Sequence, residues 1–203
     1  WENGEFQILH SSKIGAKLGK GTINDNFISP QAMQRGIEAI DNHLKTIRNF
    51  QVTKILAFAT SAVRNATNGS DFTNEIQSRF GILVKTISGK EEARLIYEGV
   101  KPLLPHKAKK ALILDIGGGS CEFVIANKNE IFWSESYELG MARLLEKFKP
   151  SDPIRKEEIN EINQFFEKEL YSLENALWKH FPQILVGSSG SFDTLAKMAG
   201  FYL

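Results

Sequence analysis

The apolar positions of this chain fall into short continuous runs separated by stretches with helical spacing, and this order predicts an α/β protein. The clearest helix follows Ser29 and ends near Asn49, because Ser29 can cap it and Pro30 suits its first turn. Further helices are predicted where apolar residues keep this spacing, at 70–80, 90–104, 140–148, 153–180 and 190–198. Strands are predicted at the apolar runs 52–59, 82–87, 112–125 (as a hairpin), 131–137 and 183–186, with two short antiparallel strands in the weakly alternating segment 5–17.

The order of elements is repeated weakly in the two halves of the chain. Each half runs through strands and helices to a further strand and helix, but the first half lacks an opening strand. This pattern predicts two related lobes with mixed sheets flanked by helices and a cleft between them, one over 1–108 and one over 109–203. The basic segment Lys107 to Lys110 is interpreted as the linker.

The segment Leu112 to Ile125 predicts a hairpin with two opposed acids. If Gly118 and Gly119 form a two-residue primed turn, Asp115 lies directly across from Glu122. Like charges at this separation repel each other, so we expect a cation between them. A hard divalent ion that shares phosphate oxygens would fit these carboxylates. The alternative is an ordinary turn in which Glu122 points to solvent.

Several small and cationic residues could hold phosphate. Thr60, Ser61 and Arg64 follow a predicted strand, and ligands bind at the carboxyl ends of strands in open α/β sheets; alternatively, Arg64 lies in solvent. Backbone N–H groups could bind an anion at two glycine-rich segments, either in the hairpin or before the last helix, where Ser189 could instead be a simple cap. The residues concerned are Gly117, Gly118, Gly119, Ser120, Gly187, Ser188, Ser189 and Gly190.

Glu92 is the candidate general base. On a helix that starts near Lys90, Glu92 shares a face with Leu95 and Ile96, whereas Glu91 aligns with Arg94 on the opposite face. Glu92 should therefore point inward. Acids in the first turn of a helix are also favoured by the helix dipole alone, which is the structural alternative.

Composition and charge limit the binding partners and the cellular location that can be expected. The net charge of +1 argues against a generally basic, sequence-specific nucleic-acid surface, and no apolar run reaches the length of a membrane span. The single cysteine, Cys121, cannot form an internal disulfide and reads as a small buried apolar residue, so a cytoplasmic setting is expected. The four histidines show no ligand spacing, and no zinc site is expected.

Four motifs resemble the Ppx/GppA exopolyphosphatase and guanosine pentaphosphate phosphohydrolase family, a branch of the actin-like ATPase superfamily. They are Ala-Thr-Ser-Ala-Val-Arg at 59–64, Ser-Gly-Lys-Glu-Glu-Ala-Arg-Leu at 88–95, Asp-Ile-Gly-Gly-Gly-Ser at 115–120 followed by Glu122, and Gly-Ser-Ser-Gly-Ser at 187–191. The resemblance implies two actin-like, ribonuclease H-like lobes. It also implies release of terminal phosphate from inorganic polyphosphate or guanosine pentaphosphate, Glu92 as base, and Mg²⁺ or another divalent cation held by Asp115 and Glu122. The family's first strand and first phosphate loop would precede Trp1, and the end of its second lobe would follow Leu203.

Two other functions stay open from the sequence. One is a nucleotide-binding ATPase or kinase of the same superfamily, in which the hairpin would hold the phosphates of ATP. The other is a non-catalytic polyphosphate-binding remnant. The expected partner in each case is a phosphorylated small molecule or polymer rather than a nucleic-acid sequence or a membrane, and a homodimer is left open.

Overall fold

The structure is a computed structural model that describes residues 7–105 and 110–200. Its helices are α1 Pro30–Asn49, α2 Ser61–Arg64, α3 Gly69–Phe80, α4 Gly89–Val100, α5 Met141–Phe148, α6 Lys156–Glu169, α7 Tyr171–His180 and α8 Gly190–Met198, with a 3₁₀ turn at Lys101–Leu103. Its strands are β1 Ala57–Ala59, β2 Val84–Thr86, β3 Ala111–Ile116, β4 Cys121–Ala126, β5 Ile131–Tyr137 and β6 Ile184–Ser188.

These strands form two sheets among the described residues. Strands β1 and β2 pair in parallel, and the larger sheet has the order β5-β4-β3-β6. Within it β3, β4 and β5 are antiparallel neighbours, whereas β6 runs parallel to β3. The predicted α/β class, with mixed sheets flanked by helices, is confirmed.

Helices cover both faces of the larger sheet. On one face Ala93 and Tyr97 of α4 pack with Ile113 and Val124, and on the other Leu173 of α7 belongs to a separate buried cluster. All six residues of β4 are buried, because this strand lies inside the sheet and is covered on both sides. A further apolar cluster joins α1, α3 and β1. Helix α4 precedes the predicted linker in sequence, yet it packs on the larger sheet, which follows that linker. The predicted division of the chain into two lobes at residue 108 stays a prediction.

The hairpin register is as predicted, but its turn is not. Asp115 pairs with Glu122 across β3 and β4, and the Gly117 N–H donates to Ser120 O at 2.9 Å. A primed turn needs positive φ, and among the described glycines only Gly21, Gly81 and Gly200 have it. The carbonyls of Gly117 and Gly118 instead accept from the first N–H groups of α5, at 3.0 and 2.9 Å. This tertiary contact shapes the turn.

The strands predicted in segment 5–17 are absent from its described part, residues 7–17; residues 5 and 6 lie outside the described residues. Ile8 and Leu9 are each 70% exposed. The weak alternation of this segment therefore does not produce a buried face, and no described strand pairs with it. Positions 107–109 of the predicted linker also lie outside the described residues.

Two other element boundaries differ from the prediction. The strands at 52–59 and 82–87 are paired only at 57–59 and 84–86, and Leu56 and Leu83, just outside the pairing, are 68% and 73% exposed. The long helix predicted at 153–180 is two helices, since Leu170, with φ −97° and ψ 14°, separates α6 from α7. Helical spacing alone does not reveal such a break, because apolar residues resume on the far side of it.

Helix limits agree with the sequence where capping decides them. The Ser29 hydroxyl accepts the Ala32 N–H at the start of α1, and Gly81, with φ +68°, ends α3. Helix α4 stops at Val100 rather than at Leu104, because Pro102 has no N–H to continue the α-helical hydrogen bonds, and the chain goes on as a 3₁₀ turn.

Gly140, at the start of α5, is the residue that lets this helix dock on the hairpin turn. A Cβ at Gly140 would lie 2.4 Å from the Gly118 carbonyl carbon and the Gly119 nitrogen, which are backbone atoms and cannot rotate away. We predict that Gly140→Ala lowers the free energy of unfolding by about 1–3 kcal/mol, measured by urea denaturation.

Gly99→Ala is the matched control. Gly99 lies in α4 with open space around its Cβ position, so alanine should raise stability by up to about 1 kcal/mol through helix propensity. Equal unfolding midpoints for wild type and Gly140→Ala would show that α5 does not need this close approach.

Candidate active site

Four polar side chains form a row across the larger sheet. Pairing places Ser188 of β6 beside Asp115 of β3, Asp115 beside Glu122 of β4, and Glu122 beside Ser136 of β5. One further residue pair of β3 and β4 separates this row from the glycine turn. Apolar residues occupy the other positions of β3 and β4, so the polar side chains of these two strands lie at the end next to the glycine turn.

Glu122 is the most deeply buried member of the row, with only 2% of its surface exposed. Ser136 Oγ donates to Glu122 Oε1 at 2.7 Å. Burial raises the pKa of Glu122 to about 6; hydrogen bonds from Ser136 and Ser120 oppose that shift, and the charges of Glu92 and Asp115 add to it. The alternative in which Glu122 turns to solvent is therefore wrong.

This donor set fits a divalent cation that keeps most of its own water. Two carboxylates, Asp115 and Glu122, face each other with no cationic side chain of the described residues paired to either. Among the described residues no group of three or more His, Cys, Asp or Glu is arranged to hold a metal ion, so the site does not suit a closed protein cage. Mg²⁺ is usually held by one or two carboxylates together with substrate phosphates, which matches what these residues can offer.

Glu92 lies in the first turn of α4, which begins after Ser88. The Ser88 hydroxyl caps the helix by accepting the Glu91 N–H at 3.1 Å. Glu92 points into the cleft, where Arg64 Nη1 donates to its Oε2 at 2.9 Å, whereas Glu91 pairs with Arg94 on the outer face. This is the separation that helical spacing predicted.

The environment of Glu92 makes this carboxylate a stronger proton acceptor than a glutamate in water. Burial raises the pKa of Glu92, the hydrogen bond and charge of Arg64 pull it down, and the charges of Asp115 and Glu138 raise it further. The side chains of Glu92 and Arg64 are 16% and 17% exposed, so both are shielded from bulk water but reachable from the cleft. A carboxylate with a raised pKa is the better proton acceptor.

Arg64 is therefore not in solvent, and its second carboxylate partner is a residue that the sequence did not single out. Arg64 Nη2 lies 3.6 Å from Glu138 Oε1. Glu138 Oε2 also accepts from Ser61 Oγ and from Arg143 Nη2, both at 2.9 Å. Glu138 thus connects α2, the end of β5 and α5.

Arg143 is the other residue that was missed. It is buried, and it donates to Gly119 O at 3.0 Å and to Ile23 O at 2.8 Å. A signal for Glu138 exists in the sequence: it directly follows a predicted strand, and that strand, antiparallel to β4, has to end beside the glycine turn. Charged residues placed there are brought to the hairpin by topology.

The cleft next to this network has a volume of about 880 Å³. Its lining brings together seven of the fourteen predicted site residues, namely Thr60, Ser61, Glu92, Gly117, Gly118, Gly119 and Ser120. Ser61 packs closely on the hairpin, since a Cβ at Gly119 would lie 2.6 Å from Ser61 Oγ. Within the described part of the chain, no residue accepts from the N–H groups of Gly118 or Gly119. Those donors are available to an anion.

The second glycine-rich segment lies at the neighbouring strand end rather than in the lining of this cleft. Ser188 is beside Asp115, and Ser189 Oγ and Ser191 Oγ both donate to Ile116 O, at 3.1 and 3.0 Å. Ser189 precedes α8 but makes no capping hydrogen bond, so its predicted role as a simple cap is wrong. The segment Gly187 to Gly190 is attached to the end of β3 and borders the carboxylate row.

Cys121 is buried beside the row and plays no part in it. Its thiol donates to Leu139 O at 3.3 Å, and burial raises the pKa of Cys121 to about 12, which leaves it protonated and unreactive. Among the described residues, no helix is long and apolar enough to cross a bilayer.

The chain is similar to known proteins of one phosphatase family. The family model of the Ppx/GppA phosphatase family matches residues 1–203. An exopolyphosphatase from Cytophaga hutchinsonii is 39% identical, with a TM-score of 0.88, and the match covers 90% of this chain and 59% of that one. A Ppx/GppA family member from Aquifex aeolicus is 27% identical, with a TM-score of 0.69 and coverage of 91% and 58%. The chain thus spans less than two thirds of the length of these relatives.

The raised pKa of Glu122 generates a prediction for the metal-free protein. Because folded Glu122 keeps its proton up to about pH 6 while the unfolded chain loses it near the ordinary value of 4.5, the folded state binds more protons in this window. Stability from this group therefore falls as pH rises from about 4.5 to 6 and is constant above that range.

In EDTA, Glu122→Gln should gain stability relative to wild type between pH 4.5 and pH 7, by an amount on the order of 2 kcal/mol. Urea denaturation of both proteins at several pH values measures the difference. The comparison at pH 4.5, where Glu122 is largely protonated, controls for the amide itself. Parallel stability curves for the two proteins would contradict the assignment of this titration to Glu122.

Proposed function

The chain belongs to the Ppx/GppA phosphatase family, and we propose that it acts as a phosphoanhydride hydrolase that releases terminal phosphate by attack of water. The observation that carries this proposal is the position of Glu92. It projects into the same cleft as the glycine turn, with the carboxylate row of Asp115 and Glu122 close behind. A proton acceptor, anion-binding N–H groups and a cation site are what water attack on a phosphoryl group requires.

In the proposed reaction the oxygen of a water molecule bonds to the terminal phosphorus as the bond from phosphorus to the bridging oxygen breaks. The water proton passes to the Glu92 carboxylate, and the bridging oxygen leaves on the shortened phosphate chain. Inorganic phosphate is the second product. Arg64 fixes the Glu92 carboxylate through Oε2, which leaves the other oxygen to accept the proton.

Stabilising the charge on the phosphoryl group is a larger requirement than accepting the water proton, since phosphoryl transfer depends mainly on positioning and charge stabilisation. The Gly118 and Gly119 N–H groups supply donors, and the hydroxyls of Thr60 and Ser61 lie in the same lining. Asp115 and Glu122 would hold Mg²⁺ or another divalent ion, which when bound neutralises phosphoryl charge. Arg64 adds positive charge next to Glu92.

The proposed substrates are inorganic polyphosphate and guanosine pentaphosphate, because both present a terminal phosphoryl group on an anhydride bond. The relative from Cytophaga hutchinsonii is an exopolyphosphatase, which favours polyphosphate as the first substrate to test. The family membership and the glutamate in the cleft argue against the ATPase or kinase alternative, since a kinase would need an acceptor site in place of a water base. The non-catalytic alternative differs only in lacking turnover.

Measuring phosphate release from long-chain polyphosphate, guanosine pentaphosphate and ATP, each with Mg²⁺, tests the proposal. We expect turnover of one or both of the first two substrates. Turnover of ATP alone would overturn it in favour of the ATPase alternative, and polyphosphate binding without any phosphate release would favour the remnant.

Glu92→Gln should lower kcat by about 10²–10⁴-fold while leaving substrate binding nearly unchanged, because the amide has a similar volume but cannot accept the water proton. Glu91→Gln is the matched control, since Glu91 lies one residue away and pairs with Arg94 on the outer face. If both variants retained wild-type kcat, Glu92 would have no role as base.

Asp115→Asn should raise the Mg²⁺ concentration needed for half-maximal phosphate release, because it removes one of the two facing charges. The measurement is a Mg²⁺ titration of initial rates for wild type and variant. Asp193→Asn serves as the control, since Asp193 is exposed on α8 and outside the carboxylate row. Superimposable titrations for Asp115→Asn and wild type would remove Asp115 from the cation site.

A further inference from the structure

Two lysines that no part of the proposed reaction uses line the same cleft as Glu92 and the glycine turn. Lys17 and Lys20 belong to the segment from Ile14 to Gly21, all eight residues of which line the cleft. Both lysines are exposed on this surface. The segment has no regular secondary structure apart from turns, so its position depends on specific contacts.

Arg35 of α1 makes those contacts. Its Nε donates to Ala16 O at 3.0 Å and its Nη2 donates to Lys17 O at 3.1 Å, so one guanidinium holds two consecutive carbonyls. Lys17 has a φ of 49°, in the left-handed region that side chains other than glycine rarely adopt. Such a conformation persists only where surrounding contacts fix it. The Arg35 fork supplies two such contacts here, and the Lys20 N–H adds a third by donating to Lys17 O at 3.1 Å.

The charges around the cleft show why two further cations matter. Arg64 and Arg143 are both engaged by carboxylates, through Glu92 and Glu138. In the described part of the chain, neither Lys17 nor Lys20 makes an ion pair with an acidic side chain. Lys17 and Lys20 are therefore cleft-lining cations without an ion-pair partner among the described residues, and the acids that share this lining are Glu92 and Glu146. A polyanion that enters this cleft would meet them beside its reacting end.

We propose that Lys17 and Lys20 bind the phosphoryl groups that follow the terminal one in a linear polyphosphate chain, and that Arg35 is the positioning residue for this subsite. The inference rests on the proposed function for the place of the terminal phosphoryl group, near Glu92 and the glycine turn. Flexible ammonium groups suit a repeating anion, since they need no fixed bidentate geometry and can follow a mobile chain. The subsite therefore favours long chains over short ones.

Binding in the absence of turnover separates this subsite from the chemistry. Isothermal titration calorimetry of the full chain with linear inorganic polyphosphate, in EDTA, should give a Kd about 10–100-fold weaker for the double variant Lys17→Ala/Lys20→Ala than for wild type. The dependence of Kd on salt should also become shallower, because fewer charges are screened. With tripolyphosphate the two proteins should differ less.

Lys54→Ala is the matched control for charge, since Lys54 is exposed and lies outside the cleft lining, and it should bind as wild type does. Arg35→Lys tests positioning, because lysine keeps the charge but cannot hold both carbonyls with one rigid fork. It should raise KM for long polyphosphate several-fold and leave kcat unchanged. A variant that merely unfolded would lose kcat as well.

The outcomes distinguish this inference from the proposed function. Equal Kd values for wild type and the double variant, or no polyphosphate binding by wild type, would overturn the lysine subsite even if guanosine pentaphosphate is hydrolysed. Weakened binding by the double variant, with no phosphate release from any substrate by wild type in Mg²⁺, would overturn the hydrolase and leave the subsite standing. An Arg35→Lys KM equal to that of wild type would remove Arg35 from it.

Discussion

Two carboxylates held face to face inside a sheet are the constraint on which the site depends. Asp115 and Glu122 are a directly paired couple of β3 and β4, and the buried member, Glu122, cannot turn away because α4 and the neighbouring strands enclose it. Like charges so placed destabilise a fold unless a proton or a cation compensates them. The raised pKa of Glu122 means that a proton can neutralise one of the two charges, and a bound divalent ion would be the other way to compensate them.

Around this pair, acidic and basic side chains alternate along a chain of ion pairs. Arg64 lies between Glu92 and Glu138, and Glu138 lies between Arg64 and Arg143. Each carboxylate therefore has a cation beside it, except in the row that is left for an external ion. The alternation also joins segments distant in sequence, since α2, α4 and α5 each contribute a member. Positioning of the base and support of the glycine turn are thus parts of one network.

Close backbone approach completes the arrangement. Ser61 and Gly140 both pack closely against the hairpin turn. The carbonyls of the turn accept hydrogen bonds from the first N–H groups of α5. Because these carbonyls are occupied by the protein, the N–H groups of Gly118 and Gly119 are left as donors for a ligand. An anion fits this polarity.

The sequence by itself determined the features that depend on local periodicity and capping. These include the α/β class, the limits of α1 and α3, the register that places Asp115 opposite Glu122, and the inward face of Glu92, because side-chain periods of two and 3.6 are fixed by backbone geometry. Only the tertiary structure decided the turn type of the hairpin, the break at Leu170, and the partners of Arg64. These depend on groups far apart in the chain: α5 bends the turn, and Glu138 reaches Arg64 because antiparallel pairing returns β5 to the glycine turn. A one-dimensional pattern specifies which face a residue occupies, but the atom it meets across a cleft is set by how separate elements pack.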